Sequence, residues 1–480
     1  MPSDDRQALV RPLHSLWKRL KQSASIVRLK PFDTSSREGR SRERYRRIAL
    51  TSLSSTSVNG ISFLAKLVVV PLTLGYLGTE RYGLWVTISS LTAMLALADL
   101  GMGNGLLNAI SEANGKDDRE AARKYVSSAF FMLSGIAVSL AVLFAVIHPW
   151  VPWTRVFNVS SSQAVAEAGP AVAVFAGCFL AGIPLSVARQ TQIGYQEGVA
   201  TNLWTVLGTL FGLGGVLLAI HMEAGLPWLV LAIAGAPTLA LFLNSVALFK
   251  HRRPWLRPRL KNTRISTAKR ISQTGLLFFV LQVAVVIVFY SDNIVVAQIF
   301  GADEVTQYAV PWQLFMIPPL FLSLALTPLW PAYGEAIARG DVVWVRTTLY
   351  RSFAVALLIT VPAATFLVAF GTQVIHLWAG PEVTPSFLLL LGLGLWAVIR
   401  GIGAPIAMLF NGANALKFQV VTASLMAIAN LATSITLAYL IGLPGVILGT
   451  VITALLFDLI PCAFYVPRLL SSISEKHPAG

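Results

Sequence analysis

Twelve long apolar stretches run through the sequence, and they limit the possible folds more than any other feature does. A helix needs about 20 mostly apolar residues to cross the hydrocarbon core of a bilayer, and every stretch reaches that length. Only 12% of the residues are charged, against about 25% in soluble domains. We therefore predict an all-α, polytopic membrane protein with about twelve transmembrane helices. The stretches lie near 48–75, 82–109, 124–149, 165–188, 201–221, 227–249, 272–299, 306–332, 343–370, 384–410, 416–440 and 443–468.

The basic residues indicate how these helices are oriented. The chain has 37 Lys and Arg against 22 Asp and Glu, a formal net charge of +15. Residues 1–47 and 250–270 hold much of this excess, whereas only Arg81 and Arg155 fall in loops on the opposite side. Because short cytoplasmic loops are enriched in Lys and Arg, both termini are predicted to be cytoplasmic. Neither basic segment looks like a folded nucleic-acid-binding domain, so no nucleic acid is expected as a partner.

The second half of the chain repeats the first. Three residues return at a constant offset of 225: Gly115, Tyr125 and Ser127 recur as Gly340, Tyr350 and Ser352. Six crossings per unit leave both units in the same orientation, so the axis relating them runs along the membrane normal. We predict two pseudo-symmetric six-helix bundles with a substrate path between them. The segments are a basic cytoplasmic tail (1–47), the N-terminal bundle (48–249), a basic cytoplasmic linker (250–271), the C-terminal bundle (272–468) and a cytoplasmic tail (469–480).

No motif in the sequence supports covalent chemistry. There is no glycine-rich phosphate loop, no nucleophile with a neighbouring base and no His/Cys cluster with metal-ligand spacing. The two cysteines, Cys178 and Cys462, lie inside apolar stretches. The loops are also too short to hold a catalytic domain. We therefore expect a transporter that is not an enzyme and has no cofactor, driven by an H⁺ or Na⁺ gradient or by the gradient of its own substrate.

Two segments carry a family resemblance. Residues 71–85 read Pro-Leu-Thr-Leu-Gly-Tyr-Leu-Gly-Thr-Glu-Arg-Tyr-Gly-Leu-Trp, and residues 98–108 read Ala-Asp-Leu-Gly-Met-Gly-Asn-Gly-Leu-Leu-Asn. Both resemble the first two spans of the polysaccharide transporters, or O-antigen flippases. These belong to the multidrug/oligosaccharidyl-lipid/polysaccharide exporter superfamily. The resemblance extends over about residues 47–470.

This resemblance implies a MATE-like, V-shaped pair of bundles in the bacterial inner membrane. It also implies a substrate, a polyprenyl-diphosphate-linked oligosaccharide that moves from the inner to the outer leaflet. Burying unpaired glycan hydroxyls is costly, so the cavity is expected to be wet, polar and partly cationic. The expected partners are the lipid-linked glycan and the bilayer, with glycan polymerase or assembly proteins as further candidates.

Two charges in the middle of the apolar stretches are the first site candidates. A charge such as that of Lys66 costs at least about 2.5–3.5 kcal/mol at the centre of a membrane helix on insertion scales. Lys66 is expected to bind a substrate phosphate or to pair with an acid, and a structural ion pair within one bundle is the alternative. Asp292 lies at a similar depth in the seventh stretch. Pseudo-symmetry would place it opposite Lys66 across the central axis, where the pair could couple an ion or act as a gate.

Further candidates lie in the second and tenth stretches. Arg400 is expected to bind a substrate phosphate bidentately, unless it extends to the inner surface. Asp99 is either a cation or proton site for coupling and gating, or an acid that caps a helix near the inner gate. Asn104 and Asn108 continue its polar face and are predicted to line the cavity.

Two glycines and two prolines are predicted hinges. Gly101 and Gly103 follow Asp99 and would allow the second helix to bend. Pro318 and Pro319 fall within the eighth stretch and should bend that helix as well. Static packing is the alternative role for the prolines.

Three other classes of protein remain as alternatives. A cation-coupled multidrug exporter of the MATE type would have nearly the same fold but an acidic, aromatic pocket, whereas Lys66 and Arg400 favour an anionic substrate. A major-facilitator transporter would carry a Gly-x-x-x-Asp-x-x-Gly-Arg-Arg-like loop after its second helix, and residues 111–120 do not fit that pattern. A scaffold without transport would have little reason to bear intramembrane charges.

Overall fold

The protein is helical throughout the part of the chain that the computed structural model describes. That part comprises residues 30–95, 99–157, 159, 161–300, 302–379 and 383–476, and some side chains within it are not described. Nine helices in these ranges are long and apolar enough to cross a membrane, and no strand occurs in them. The prediction of an all-α, polytopic membrane protein is confirmed.

The N-terminal bundle begins with a long, bent helix. Helix α1 (Arg37–Leu95) changes direction at Gly78, whose φ of +73° suits glycine because it has no Cβ. It therefore contains the first crossing and the beginning of the second, which α2 completes. The main elements that follow are α2 (Met102–Gly115), α3 (Arg119–Ile147), α4 (Ser162–Gly194), α5 (Gly198–His221), α6 (Leu226–Val230), a π-helical turn (Leu231–Gly235) and α7 (Ala236–Val246). Short helical turns also occur at His148–Trp150, Trp153–Val156 and Ala247–Arg252.

The C-terminal bundle follows the basic linker and repeats this order. Its eighth crossing is broken into three short helices, in line with the prolines at 318 and 319. Its last crossing is interrupted by a π-helical turn (Leu455–Leu459). The helices are α8 (Ile265–Phe300), α9 (Ala302–Phe315), α10 (Ile317–Leu326), α11 (Leu329–Ala338), α12 (Val342–Ala379), α13 (Phe387–Gly412), α14 (Leu416–Ile441), α15 (Leu443–Ala454) and α16 (Ile460–Lys476).

Several helices begin earlier or end later than the apolar stretches indicate. Helix α1 starts at Arg37, within the predicted tail, and α8 starts at Ile265, within the predicted linker. Hydrophobicity marks only the part of a helix that lies in the hydrocarbon core, so polar extensions beyond it are not visible in the pattern. The division of the chain into five segments stays a prediction.

Each bundle packs around its own apolar core. One core lies entirely within the C-terminal bundle and joins α8, α13, α14 and α15 through buried residues such as Val296, Leu393 and Ile447. Two others fill the N-terminal bundle. Leu256 of the linker and Ile271 of α8 are buried in one of these, so the start of the second bundle rests on the first.

Candidate functional site

The two bundles meet at the end of the molecule that carries the basic loops. We call this end the basic face and define it by residues 30–47, 114–119, 250–264 and 335–346. Hydrogen bonds between described residues of the two bundles join them in the half of the helices next to this face. The protein is therefore held closed at its basic face.

A buried ion-pair network makes this closure. Arg44 of α1 is only 2% exposed. It donates to Glu335 through Nε at 3.3 Å and to Asp341 through Nη1 at 2.8 Å. Gln196, in the loop between α4 and α5, donates to the same Glu335 at 2.6 Å. Because Glu335 and Asp341 belong to the C-terminal bundle, these contacts tie the two bundles together.

A second ion pair crosses the same face. Arg339 contacts Asp117 at 2.8 Å and also pairs with Glu335 of its own bundle at 2.9 Å. The hydrogen bond from Arg339 is the main reason that the pKa of Asp117 lies below its usual range. The ion pair with Arg339 therefore favours the ionised form of Asp117.

Glycines bring helices of the two bundles into close contact beside this network. A Cβ on Gly105 of α2 would lie 2.6 Å from the carbonyl oxygen of Ile271 in α8, and one on Gly275 of α8 would lie 2.9 Å from the Cα of Met102. Backbone atoms at such distances cannot move aside as a side-chain end would. The α2–α8 contact therefore depends on residues without side chains.

The repeat-related helices α2 and α11 pack on each other. A Cβ on Gly115 would lie 2.4 Å from the Cβ of Ala338, and a Cβ on Gly334 would lie 2.9 Å from the Cβ of Ser111. An element that contacts its own repeat copy lies on the axis that relates the two repeats. The basic face is thus built around the pseudo-symmetry axis that the sequence predicts.

Asp292 lies in a buried polar cluster inside the C-terminal bundle. Its side chain is 4% exposed, and its Oδ2 accepts hydrogen bonds from Tyr308 at 2.8 Å and Thr450 at 3.1 Å. Asn430 donates to the same threonine oxygen at 2.6 Å. Oδ1 is buried and has no hydrogen-bond partner among the described residues.

These contacts do not show the predicted arrangement in which Asp292 and Lys66 face each other. The described members of this cluster, Tyr308, Asn430 and Thr450, all belong to the same bundle as Asp292. The side chain of Lys66 lies outside the described residues. The predicted roles of both residues stay predictions.

Arg400 lines a cavity of about 290 Å³ within the C-terminal bundle. Its guanidinium lies deep in the bundle, close enough to Asp458 for electrostatic attraction, yet it remains accessible from the cavity. It also lies 5.8 Å from the centre of the Trp396 ring. Asp458 belongs to the π-helical turn of the last crossing, a distortion that often marks functional sites. The sequence shows Asp458 as a charge inside the last apolar stretch but indicates no partner for it, and the structure places it near Arg400.

Asp99 caps the start of α2. Its two carboxylate oxygens accept from the backbone N–H groups of Gly101 at 2.9 Å and Gly103 at 3.1 Å. Arg189 of α4 lies near enough to interact electrostatically with this carboxylate. Arg189 was missed by sequence reasoning, because its position near the end of an apolar stretch suggested a loop. It is an exposed cation on the N-terminal counterpart of the helix that carries Arg400.

The predicted cavity lining is divided between two environments. Asn104 is half-buried on α2. Asn108 lies at the closed basic face, where its Oδ1 accepts from Trp330 and its Nδ2 reaches Asn414 at 3.5 Å. In this conformation Asn108 therefore joins the bundles. Whether either asparagine contacts substrate stays a prediction.

Both predicted hinge regions coincide with breaks in a helix. Gly101 has φ +71° and separates α1 from α2. Pro318 and Pro319 form the first turn of α10, where a missing N–H does little harm. Helices two and eight, which correspond in the repeat, are thus both interrupted. Their function as hinges stays a prediction.

Comparison with known proteins places this architecture in a family. The family model described as "Polysaccharide biosynthesis protein" matches residues 51–336. A Salmonella typhimurium protein named "Putative O-antigen transporter" is 23% identical over 413 residues, which is 82% of this chain and 92% of that protein. A Salmonella typhi protein of the same name is 22% identical and covers 81% of this chain and 88% of its own length.

Solved structures with the same fold are transporters. A MATE protein crystallised in a bent conformation has a TM-score of 0.76 at 18% identity, covering 91% of this chain and 97% of its own. An outward-facing multidrug resistance MATE transporter of the MOP superfamily has a TM-score of 0.73 at 18% identity, covering 89% and 96%. The predicted pair of six-helix bundles with a MATE-like fold is confirmed.

Proposed function

Because the chain belongs to the family of polysaccharide biosynthesis proteins, we propose that it is a flippase for lipid-linked oligosaccharides. It moves a polyprenyl-diphosphate-linked repeat unit across the bacterial inner membrane by alternating access. The observation that carries this proposal is the family match over residues 51–336, supported by relatives named for O-antigen transport. The protein acts as a carrier without covalent chemistry, and its basic face is cytoplasmic. Glycan polymerase or assembly proteins are further candidate partners.

The closed basic face fits one of the two states that such a cycle requires. With this face sealed, a glycan headgroup between the bundles can leave only toward the other side. The second state requires the Arg44 and Arg339 ion pairs to separate. Each bundle also carries an arginine on equivalent helices, Arg189 and Arg400, which suits a substrate with a diphosphate.

The Asp292 cluster is the proposed coupling site for H⁺ or Na⁺. A buried carboxylate with one unpaired oxygen is unfavourable unless it is protonated or binds a cation. Neighbouring oxygen atoms, such as that of Thr450, are the ligand type that hard cations prefer. Binding of either ion would neutralise the carboxylate.

The function is tested by following the precursor in cells that lack the protein. In spheroplasts of wild-type cells, an added glycosidase should cleave lipid-linked oligosaccharide that has reached the outer leaflet. In cells without the protein, the precursor should stay protected, because its headgroup remains on the cytoplasmic side. Equal cleavage in both strains would refute the proposal.

The main alternative is a MATE-type multidrug exporter, which has the same fold. It predicts that overexpression raises resistance to cationic drugs and leaves the precursor unaffected. The accessible Arg189 and Arg400 favour an anionic substrate over a cationic drug, although each has an acid nearby.

A further inference from the structure

The arginine that closes the basic face depends on acids from the opposite bundle. Arg44 belongs to the N-terminal bundle, whereas its two carboxylate partners, Glu335 and Asp341, belong to the C-terminal bundle. The bundles can separate at this face only if Arg44 gives up both. Separation exposes Arg44 to water and removes both of its carboxylate partners, so an anion that binds the guanidinium there stabilises the separated state.

A small cavity lies beside Arg44. We call it the gate cavity: it measures about 110 Å³, and Arg40, Arg44, Arg47 and Arg339 line it together with Glu43 and Glu335. The Nη2 atom of Arg44 is buried and has no hydrogen-bond partner among the described residues. Arg44 thus has a donor without a hydrogen bond, and its guanidinium lies 5.1 Å from the centre of the Trp344 ring.

The N-terminal side of the gate cavity carries more positive than negative charge. Glu43 is the carboxylate that helix α1 contributes to the lining of the gate cavity. It pairs with Arg46 at 2.7 Å and with Arg47 at 2.9 Å. Arg40 donates to the carbonyl oxygens of Thr34 and Ser35, and it has no carboxylate within ion-pair distance among the described residues. Once Glu335 and Asp341 leave, Arg44 has lost both carboxylate partners, and Arg40 has only the longer-range attraction of Asp117.

We propose that Arg40 and Arg44 form a phosphate-binding site at the gate cavity, where a phosphate group replaces Glu335 and Asp341 as the bundles separate. Guanidinium groups bind phosphate oxygens bidentately. Arg40 lines the gate cavity and is only partly buried, so it provides the first contact while the ion pairs of Arg44 are intact. The phosphate then takes the places of the carboxylates, so Arg44 keeps an anionic partner throughout.

Such a site couples substrate binding to opening. A ligand shifts a conformational equilibrium only if it binds one state better than the other. In the closed state the carboxylates occupy the Nε and Nη1 donors of Arg44, and in the separated state these donors face the phosphate. The inference rests on the proposed function for the source of the phosphate, the diphosphate of the lipid-linked oligosaccharide.

Distance measurements across the basic face test this inference. Spin labels are placed at Glu120→Cys and Val343→Cys, one on each bundle, in a Cys178→Ala, Cys462→Ala background. Both positions are exposed and lie outside the gate cavity. Pyrophosphate, at constant ionic strength set with chloride, should shift the purified full-length protein toward longer distances.

Two variants and a matched control identify the site. Arg40→Gln leaves the Arg44 ion pairs intact and should abolish the response to pyrophosphate. Arg44→Gln should also abolish it, although its starting distances will be longer because an ion pair is lost. Arg42→Gln removes the same charge from a side chain that is 56% exposed and pairs with Glu38, and it should respond like the parent protein.

Two further comparisons distinguish a lipid-borne phosphate from a free one, and they distinguish failure of this inference from failure of the flippase proposal. A response to vesicles containing undecaprenyl diphosphate but not to pyrophosphate supports the site with a lipid-borne ligand, and a response to both supports a general phosphate site. No response to either probe overturns the inference, and so does an equal response in the Arg40→Gln and Arg42→Gln proteins. The glycosidase assay in cells tests the flippase separately, because the distance measurement requires no transport.

Discussion

At the scale of single residues, the charges buried in the bundles are the features with the clearest consequences. Asp292 has hydrogen-bond donors on two other helices of its bundle. Two of the corresponding positions in the N-terminal bundle are apolar. In this part of the repeat, equivalent residues such as Leu226 and Leu443 are 217 positions apart. At the same offset, Asn430 corresponds to Leu213 and Thr450 corresponds to Ile233, both of which are apolar. The repeat thus supplied two similar bundles, and only one of them carries this polar site.

Replacement of Asp292 should abolish ion coupling and leave folding unaffected. Asp292→Asn keeps the size of the side chain and an acceptor for Tyr308 but cannot carry a charge. We expect surface polysaccharide to fall to the level of a strain without the protein, at unchanged membrane abundance. The measurement is complementation of a deletion strain, with protein levels determined by immunoblotting.

Tyr308→Phe is the matched control for this experiment. It removes one hydrogen bond to the same carboxylate but leaves the charge and Thr450 in place, so it should retain much of the export activity. If Asp292→Asn supports normal surface polysaccharide, the carboxylate has no part in coupling.

At the scale of helices, the contact between α2 and α8 limits how the bundles meet. Gly101, Gly105 and Gly275 allow the two backbones to approach at the basic face. The break between α1 and α2 lies directly beside this contact, because Gly101 takes up a left-handed backbone conformation there. A helix that ends next to a close interhelical contact can change direction without disturbing the rest of its bundle.

A methyl group at Gly105 should therefore destabilise the closed state. In Gly105→Ala the new Cβ would lie 2.6 Å from a backbone carbonyl of α8, and overpacking of this kind costs about 1–3 kcal/mol. We expect a lower melting temperature of the purified protein and, in the spin-labelled background, longer distances across the basic face.

Gly135→Ala controls for the effect of a glycine substitution in a helix. Gly135 lies in α3, and a Cβ there has no neighbour within 4 Å. This variant should be as stable as the parent or slightly more so, since alanine has the higher helix propensity. Equal melting temperatures for the two variants would show that the α2–α8 contact is not close in the protein.

At the scale of the whole molecule, the charges of the basic face act together. The segments that define this face meet around the pseudo-symmetry axis, and each contributes charged or polar groups. Burial raises the pKa of Glu43, but hydrogen bonds from Arg46, the backbone of Phe32 and Arg47 outweigh it and lower the pKa to about 2. The hydrogen bond from Arg339 lowers the pKa of Asp117 in the same way.

This predicts that acid weakens the protein. A carboxyl group whose pKa is lower in the folded state contributes its full stability above its unfolded pKa, which is 4.5 for Glu43. That contribution is lost as the pH falls toward about 2. The melting temperature in detergent should therefore decrease as the pH falls below about 5, where these carboxylates begin to lose their contribution.

Glu43→Gln should change this profile in a defined way. At pH 7 the variant should melt at a lower temperature than the parent, because two arginines lose their ionised partner. Its further decrease in acid should be smaller, since one of the groups that take up protons is gone. An identical dependence on pH in both proteins would contradict the role assigned to Glu43.

The sequence by itself determined the class of fold, the crossings and the duplication. These follow from the length of the apolar stretches, from the burial energy of apolar side chains in lipid and from residues repeated at a fixed spacing. It also indicated that Asp99, Asp292 and Arg400 are unusual, because a charge inside a membrane helix is costly wherever it points.

Only the tertiary structure decided what these charges contact. A helix presents different residues to lipid, to its own bundle and to the other bundle, and an apolar stretch does not indicate how it is rotated. Asp292 therefore faces Tyr308 and Thr450 of its own bundle. The Arg44–Glu335 pair joins residues 291 positions apart, and no local pattern links such distant charges.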